Sequence, residues 1–105
     1  MGNVLSLKSA NPLIGTWGSL DDEKGTTAEY TISQAASGLS VSAKDAYDGE
    51  LGAVSEIEQD GAAIFFTVAW SSGRICKCKV LPATGNQVQF TFTYTEHEHL
   101  QRRAT

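Results

Sequence analysis

Val88-Gln89-Phe90-Thr91-Phe92-Thr93-Tyr94-Thr95 decides how this chain is read. Apolar or aromatic side chains stand at 88, 90, 92 and 94, and polar ones at 89, 91, 93 and 95. A period of two puts each set on its own face of a pleated strand, whereas a helix would scatter both around its circumference. β-branched and aromatic residues also fit the half-buried surface of a sheet. The same alternation recurs upstream. Cys76, Cys78 and Val80 oppose Lys77 and Lys79, and Ile64, Phe66, Val68 and Trp70 share a face before them. Further back, Leu39, Val41 and Ala43 form one such set, Ala28, Tyr30 and Ile32 another, and Leu13, Gly15 and Trp17 the first.

Turn clusters separate these runs at 21–25, 36–38, 45–49, 59–61, 71–73 and 84–86, each containing a glycine. Asp60-Gly61 and Asp48-Gly49 are the strongest hairpin signals, because tight two-residue turns need positive φ. The pattern predicts strands near 14–20, 26–33, 39–44, 50–58, 62–70, 74–82 and 87–100, paired in sequence order as a meander. Within 50–58 two parities compete, Gly52 and Val54 against Leu51, Ala53 and Ile57, which points to a β-bulge. One apolar and one polar face per strand implies a sheet wrapped around its own core, and a barrel removes the exposed edges. A closed antiparallel barrel needs an even number of strands. An eighth is expected from a bend near Thr95 in the 87–100 segment, the alternative being a strand from Val4 to Lys8.

Length and composition agree with this all-β reading. A chain of 105 residues fits one domain, whose usual size is about 100–150 residues. Residues 1–12 are expected to form an N-terminal arm and 13–105 a single β-barrel domain. Its 41% hydrophobic and 19% charged residues are those of a packed protein and not of a disordered one. No apolar run approaches the roughly 20 residues of a membrane-spanning helix. The first residues lack the basic patch and apolar core of a secretion signal. A soluble cytoplasmic protein is the expectation.

The net charge of −4 argues against nucleic-acid or anionic-membrane binding. Ten acids and three bases lie in 1–73, against two acids and five bases in 74–105. Cys76 and Cys78, spaced C-x-C on a strand, project to one face about 6.5–7 Å apart, poorly directed for a disulfide. No matching ligands complete a zinc site. Reduced, buried thiols in a reducing compartment are expected, and no cofactor is implied.

Leu13-Ile14-Gly15-Thr16-Trp17 adds a resemblance. A Gly-x-Trp on the first strand of a small meander resembles the calycin superfamily of lipocalins, fatty-acid-binding proteins and avidins. Thr67-Val68-Ala69-Trp70 is similar to avidin-like barrels. The resemblance implies a ligand-binding barrel in which the first-strand Trp packs near the closed end under a basic residue, here Arg102 or Arg103. The Asn and Ser that an avidin-like biotin site needs after that Trp are replaced by Gly18, Ser19, Leu20 and Asp21, so biotin binding is not implied. The short chain points to a small or filled cavity.

Up-and-down topology sorts the turns between two ends. One end gathers 21–25, 45–49, 71–73 and the end of the last strand, with Asp21, Asp22, Glu23, Asp45, Asp48, Glu50, Glu96 and Glu98 offset by Lys24, Lys44 and Arg74. Tyr47, Trp70 and Tyr94 fall there too. An acidic mouth with aromatic walls suits a small molecule bearing positive charge or several hydroxyls. Solubilising acidic turns are the plainer account. The walls are expected from Trp17, Tyr30, Phe66, Trp70, Phe92 and Tyr94, with Arg74 and Glu96 as polar contacts.

Two other functions compete with ligand binding. One is a protein–protein or homodimerisation module using outward Phe65, Ile75 and Leu81. The other is a lyase or isomerase with Glu96 as general base, although no nucleophile–base pair accompanies it. In Glu96-His97-Glu98-His99, alternation directs the two histidines to the threonine face, where no third metal ligand is evident. Finally, Met1-Gly2-Asn3-Val4-Leu5-Ser6 matches the N-myristoylation pattern with Gly2 as acceptor, which alone would give marginal, peripheral membrane attachment.

Overall fold

The computed structural model describes residues 11–18, 28–96 and 98–104. Seven antiparallel strands run in chain order: β1 (Gly15–Trp17), β2 (Ala28–Ala35), β3 (Gly38–Asp45), β4 (Ala53–Asp60), β5 (Ala63–Ala69), β6 (Ile75–Pro82) and β7 (Val88–Thr95). No helix among the described residues is long and apolar enough to cross a membrane. Every strand pairs with its sequence neighbour except across one junction, leaving two sheets, β1-β2-β3 and β4-β5-β6-β7. The meander is therefore as expected, but no closed barrel forms among the described residues.

The two sheets meet at one seam. After β3 the chain makes a tight loop in which Asp45 N donates to Glu50 O at 2.8 Å and Gly52 N to Ala43 O at 2.9 Å. A single bridge, Lys44 to Leu51, joins the sheets there. On the far side β1 is only three residues long, and among the described residues β7 pairs with β6 alone. The expected eighth strand does not follow Thr95, since 98–104 carries no regular structure. The alternative, Val4 to Lys8, lies outside the described residues, as do Gly2, the 21–25 turn and His97.

Side-chain alternation forms the core as read from the sequence. Leu13, Ile32, Ile64 and Val68 are at most 1% exposed, and Tyr30, Val41, Phe66, Cys76, Cys78 and Val80 join them in one cluster drawn from both sheets. The sheets face each other through rings. Tyr30 on β2 lies 5.6 Å from Phe66 on β5 and 4.8 Å from Phe90 on β7, centroid to centroid. Such tilted aromatic pairs add to the stabilisation from burial.

The ambiguity in the fourth strand resolves as a bulge. Val54 and Ile57, of opposite parity, both pack on the core, and the β4–β5 register shifts between Ser55 and Glu58. Glu56 takes the left-handed backbone conformation, φ 55°, which turns the strand so that its second half again presents an apolar side chain inward. At Gly61, φ 62° closes the β4–β5 hairpin, the conformation glycine adopts without steric cost.

Candidate functional site

β7 carries the exception to core burial. Val88 and Phe90 are half-buried against the core, but Phe92 and Tyr94 are 44% and 52% exposed. They keep the inward parity, so their exposure reflects the lack of a covering strand opposite them among the described residues and not an outward orientation. Phe90, Phe92 and Tyr94 form a row of rings at 5.5 and 6.4 Å. This row opens onto a cleft of about 470 Å³ between the ends of the two sheets, with Tyr30, Trp70, Arg74, Phe92 and Tyr94 in its lining. Five of the eight residues expected at the ligand site thus come together.

The register explains the polar corner of the cleft. Ile75 pairs with Thr95, so Arg74 and Glu96, one step further along each strand, fall opposite each other with the inward parity of Cys76 and Tyr94. Arg74 donates from Nη2 and Nε to Glu96 Oε1 at 2.7 and 3.1 Å. Its guanidinium also stands 4.5 Å above the centroid of Tyr94. Hydrogen bonding to Glu96, followed by the charge of that carboxylate, raises the Arg74 pKa further above its ordinary value. Glu96 does not itself appear in the cleft lining. With Oε1 engaged by Arg74, it holds the corner together instead of presenting a bare base.

Trp17 and Phe66 stand elsewhere. Phe66 is 2% exposed and central in the core. The Trp17 indole N–H donates to Leu13 O at 2.9 Å, and its ring packs on the core from β1. Neither lines the cleft. Arg102 and Arg103 are exposed, and the cation–ring contacts among the described residues involve Arg74 and Lys79 instead. The basic cover over the first-strand tryptophan expected from the calycin resemblance is therefore not formed by either arginine.

Three acids join the lining: Asp45, Asp48 and Glu50. They share the cleft because the β3–β4 loop and the β5–β6 turn emerge at the same end, as the meander requires. Each also shapes the backbone. Asp45 Oδ1 accepts from Tyr47 N at 2.7 Å and Asp48 N at 3.2 Å. Asp48 Oδ1 accepts from Glu50 N at 2.8 Å. Glu50 Oε2 accepts from Ser71 N at 2.8 Å and so ties the loop to the next turn. The acidic turns were legible in the sequence; these backbone contacts were not. Ala28 and Cys76, read from the sequence as inward-facing, and Ser72, from the 71–73 turn, are also in the lining but were not expected at the ligand site.

Cys76 and Cys78 are free and buried. Burial, with a smaller effect of charge at Cys76, pushes the Cys78 thiol up to about 12, so it is protonated at neutral pH and unsuited to nucleophilic chemistry. His99 and Glu98 are exposed beyond the end of β7, where strand alternation no longer applies. No group of three or more His, Cys, Asp or Glu among the described residues is placed to hold a metal ion.

Phe65, Ile75 and Leu81 lie on the outer face of the larger sheet, with Phe65 36% exposed. Lys77 and Lys79 separate Ile75 from Leu81 along β6, and Lys79 pairs with Phe65 and reaches within 5.7 Å of its ring centroid. A scan of family models, a search of curated proteins and a search of solved structures each return no match to this chain.

Proposed function

We propose that this chain is a small-molecule-binding protein whose strands wrap as an open, calycin-like barrel, with the ligand seated in the cleft beside β7. The observation that carries this reading is the exposed inner face of β7. Phe92 and Tyr94 have inward parity yet remain 44% and 52% exposed beside a cleft of about 470 Å³. Ligand cavities usually measure about 300–1,000 Å³ and combine apolar and aromatic walls with a few placed polar groups. Tyr30 and Trp70 supply further ring surface, and the Arg74–Glu96 pair and the loop carboxylates supply the polar groups. Free, buried cysteines accord with a reducing compartment.

The outer-face alternative has less support, because lysines interrupt its three apolar residues. An enzymatic role for Glu96 lacks a partner group beyond Arg74. Native mass spectrometry of the freshly purified protein, together with a thermal-shift screen of metabolites, tests the binding reading. A co-purified mass or a stabilising compound that also perturbs Trp70 is expected. No bound mass and no stabilising compound would overturn it, as would a ligand response that persists unchanged when Phe92 and Tyr94 are replaced by threonine.

A further inference from the structure

We infer that the cleft takes an organic cation, an ammonium or guanidinium group on a compact apolar body. The inference rests on the small-molecule reading of the same site and narrows its chemistry. The walls are the first ground. The faces of aromatic rings carry negative quadrupole density and attract cations within about 6 Å of the centroid. The protein already uses this surface for a cation of its own, since the Arg74 guanidinium stands 4.5 Å above Tyr94. Trp70 and Phe92 line the same space.

Charge is the second ground. Asp45, Asp48 and Glu50 share the lining with Arg74, and Arg74 is engaged by Glu96 at 2.7 Å. Lys44 leaves β3 on the exposed face and its Cε comes 4.0 Å from the position a Cβ on Gly49 would take, yet the ion pair among the described residues is Arg74–Glu96 and not one of Lys44 with the loop acids. The three carboxylates meet backbone N–H groups through Asp45 Oδ1, Asp48 Oδ1 and Glu50 Oε2. Among the described residues their second oxygens receive no hydrogen bond from the protein, and the backbone contacts hold them in place. They form a fixed acceptor edge beside the aromatic wall.

Anions are disfavoured by the same groups. An anion seeking Arg74 meets a guanidinium whose charge Glu96 already balances through contacts at 2.7 and 3.1 Å, and it must sit in a space that three carboxylates also line. A neutral molecule of the same shape would gain the ring contacts but none of the electrostatic attraction. The cation gains both.

Three probes of one shape separate these cases: choline, its uncharged carbon isostere neohexyl alcohol, and the tert-butylacetate anion. Each is titrated into the intact protein and followed through the Trp70 indole signal in heteronuclear NMR spectra. Choline should saturate with an affinity about tenfold or more above the alcohol, and the anion should not bind. Raising salt from about 0.05 M to about 0.5 M should weaken choline and leave the alcohol unaffected. Tyr94→Leu should weaken choline at least about threefold, and so should Asp48→Asn, which keeps the Oδ1 acceptor that shapes the loop. Equal or tighter binding of the alcohol or the anion overturns the cation assignment while the small-molecule reading stands. A silent Trp70 with all three probes also overturns it, and the mass-spectrometric search for co-purified ligand then decides the broader reading separately.

Discussion

Gly52 sits at the seam where the chain passes from one sheet to the other, and replacing it with alanine tests whether that seam is packed as described. A Cβ on Gly52 would overlap Val68 Cγ1 and lie 3.3 Å from Cη2 and Cζ3 of Trp70. Val68 is fully buried in the shared core, so it has little room to retreat. The Gly52 N–H donates to Ala43 O at 2.9 Å, which keeps the backbone from backing away. Inserting a methyl group into packed surroundings costs about 1–3 kcal/mol. Alanine also lowers the entropy of the unfolded chain, which offsets about 0.4–1 kcal/mol. The expected net loss is therefore about 1–2 kcal/mol. At roughly 4–8 °C per kcal/mol for a domain of this size, melting should fall by about 4–16 °C.

A mutant cycle separates this overlap from a general dislike of substitution. Val68→Ala alone removes two buried methyl groups, worth about 0.8 kcal/mol each plus a cavity term. In the Gly52→Ala background the new methyl occupies part of the space that Val68 vacates, so the double variant should be more stable than the sum of the singles by about 1 kcal/mol. Urea denaturation followed by tryptophan fluorescence supplies the midpoints at constant slope. Gly52→Ala melting at or above the parent, or a strictly additive cycle, would show that the seam is not formed as the structure places it.

Two further outcomes follow from buried or strained positions. The Cys78 thiol has its pKa raised from 9.0 to about 12 by burial. The unfolded chain therefore loses this proton first, so the stabilisation is intact below pH 9 and disappears as pH climbs toward 12. Melting temperature should fall more steeply above pH 9 in the parent than in Cys78→Ala, which differs from it in this one titrating group, and equal slopes would contradict the burial of this thiol. At the bulge, Glu56 adopts φ 55° and accepts a hydrogen bond from Thr67 Oγ1 at 2.7 Å. Glu56→Val, whose branched side chain resists that conformation, should be about 1–2 kcal/mol less stable than Glu56→Asn. Chemical denaturation that finds the two alike would mean the bulge relaxes into regular pairing.

Alternation is a local property, and whatever depended on it alone was legible. Tyr30, Ile32, Val41, Phe66, Val68 and Val80 were assigned inward by parity and are buried. The bulge was legible as a conflict between Val54 and Ile57, but its position was not, because Glu56 is not the glycine that commonly marks a left-handed residue. Parity also says which way a side chain points without saying what stands opposite. Trp17 and Phe66 share the inward parity of Phe92 and Tyr94, yet the first two meet the core and the last two meet the cleft. That distinction depends on which strands face one another across the sheets. Arg74 and Glu96 were readable as neighbours of one mouth, since the hairpin register brings positions 22 apart together. The carboxylates of the 45–50 loop were readable only as acidic, because hydrogen bonds from the backbone depend on turn geometry.

The cleft owes its character to the unequal treatment of the two edges of the larger sheet. At the β3–β4 seam, Gly52 packs against Trp70, and Glu50 holds the Ser71 amide. The wall there is tied into both sheets. At β7 the outer hydrogen-bonding edge has no partner strand among the described residues. The side chains there are held instead by an exposed ion pair and by rings leaning on rings. Surface ion pairs of this kind contribute little to folding stability, so their more consequential effect is on position. The Arg74–Glu96 pair keeps a guanidinium over the Tyr94 ring. A ligand entering this space meets one wall fixed by the core and another held by contacts it can rearrange. With a ligand of the proposed kind, that combination places the largest movements at Arg74, Tyr94 and Glu96, while Trp70 stays in place and reports the ligand through its indole signal.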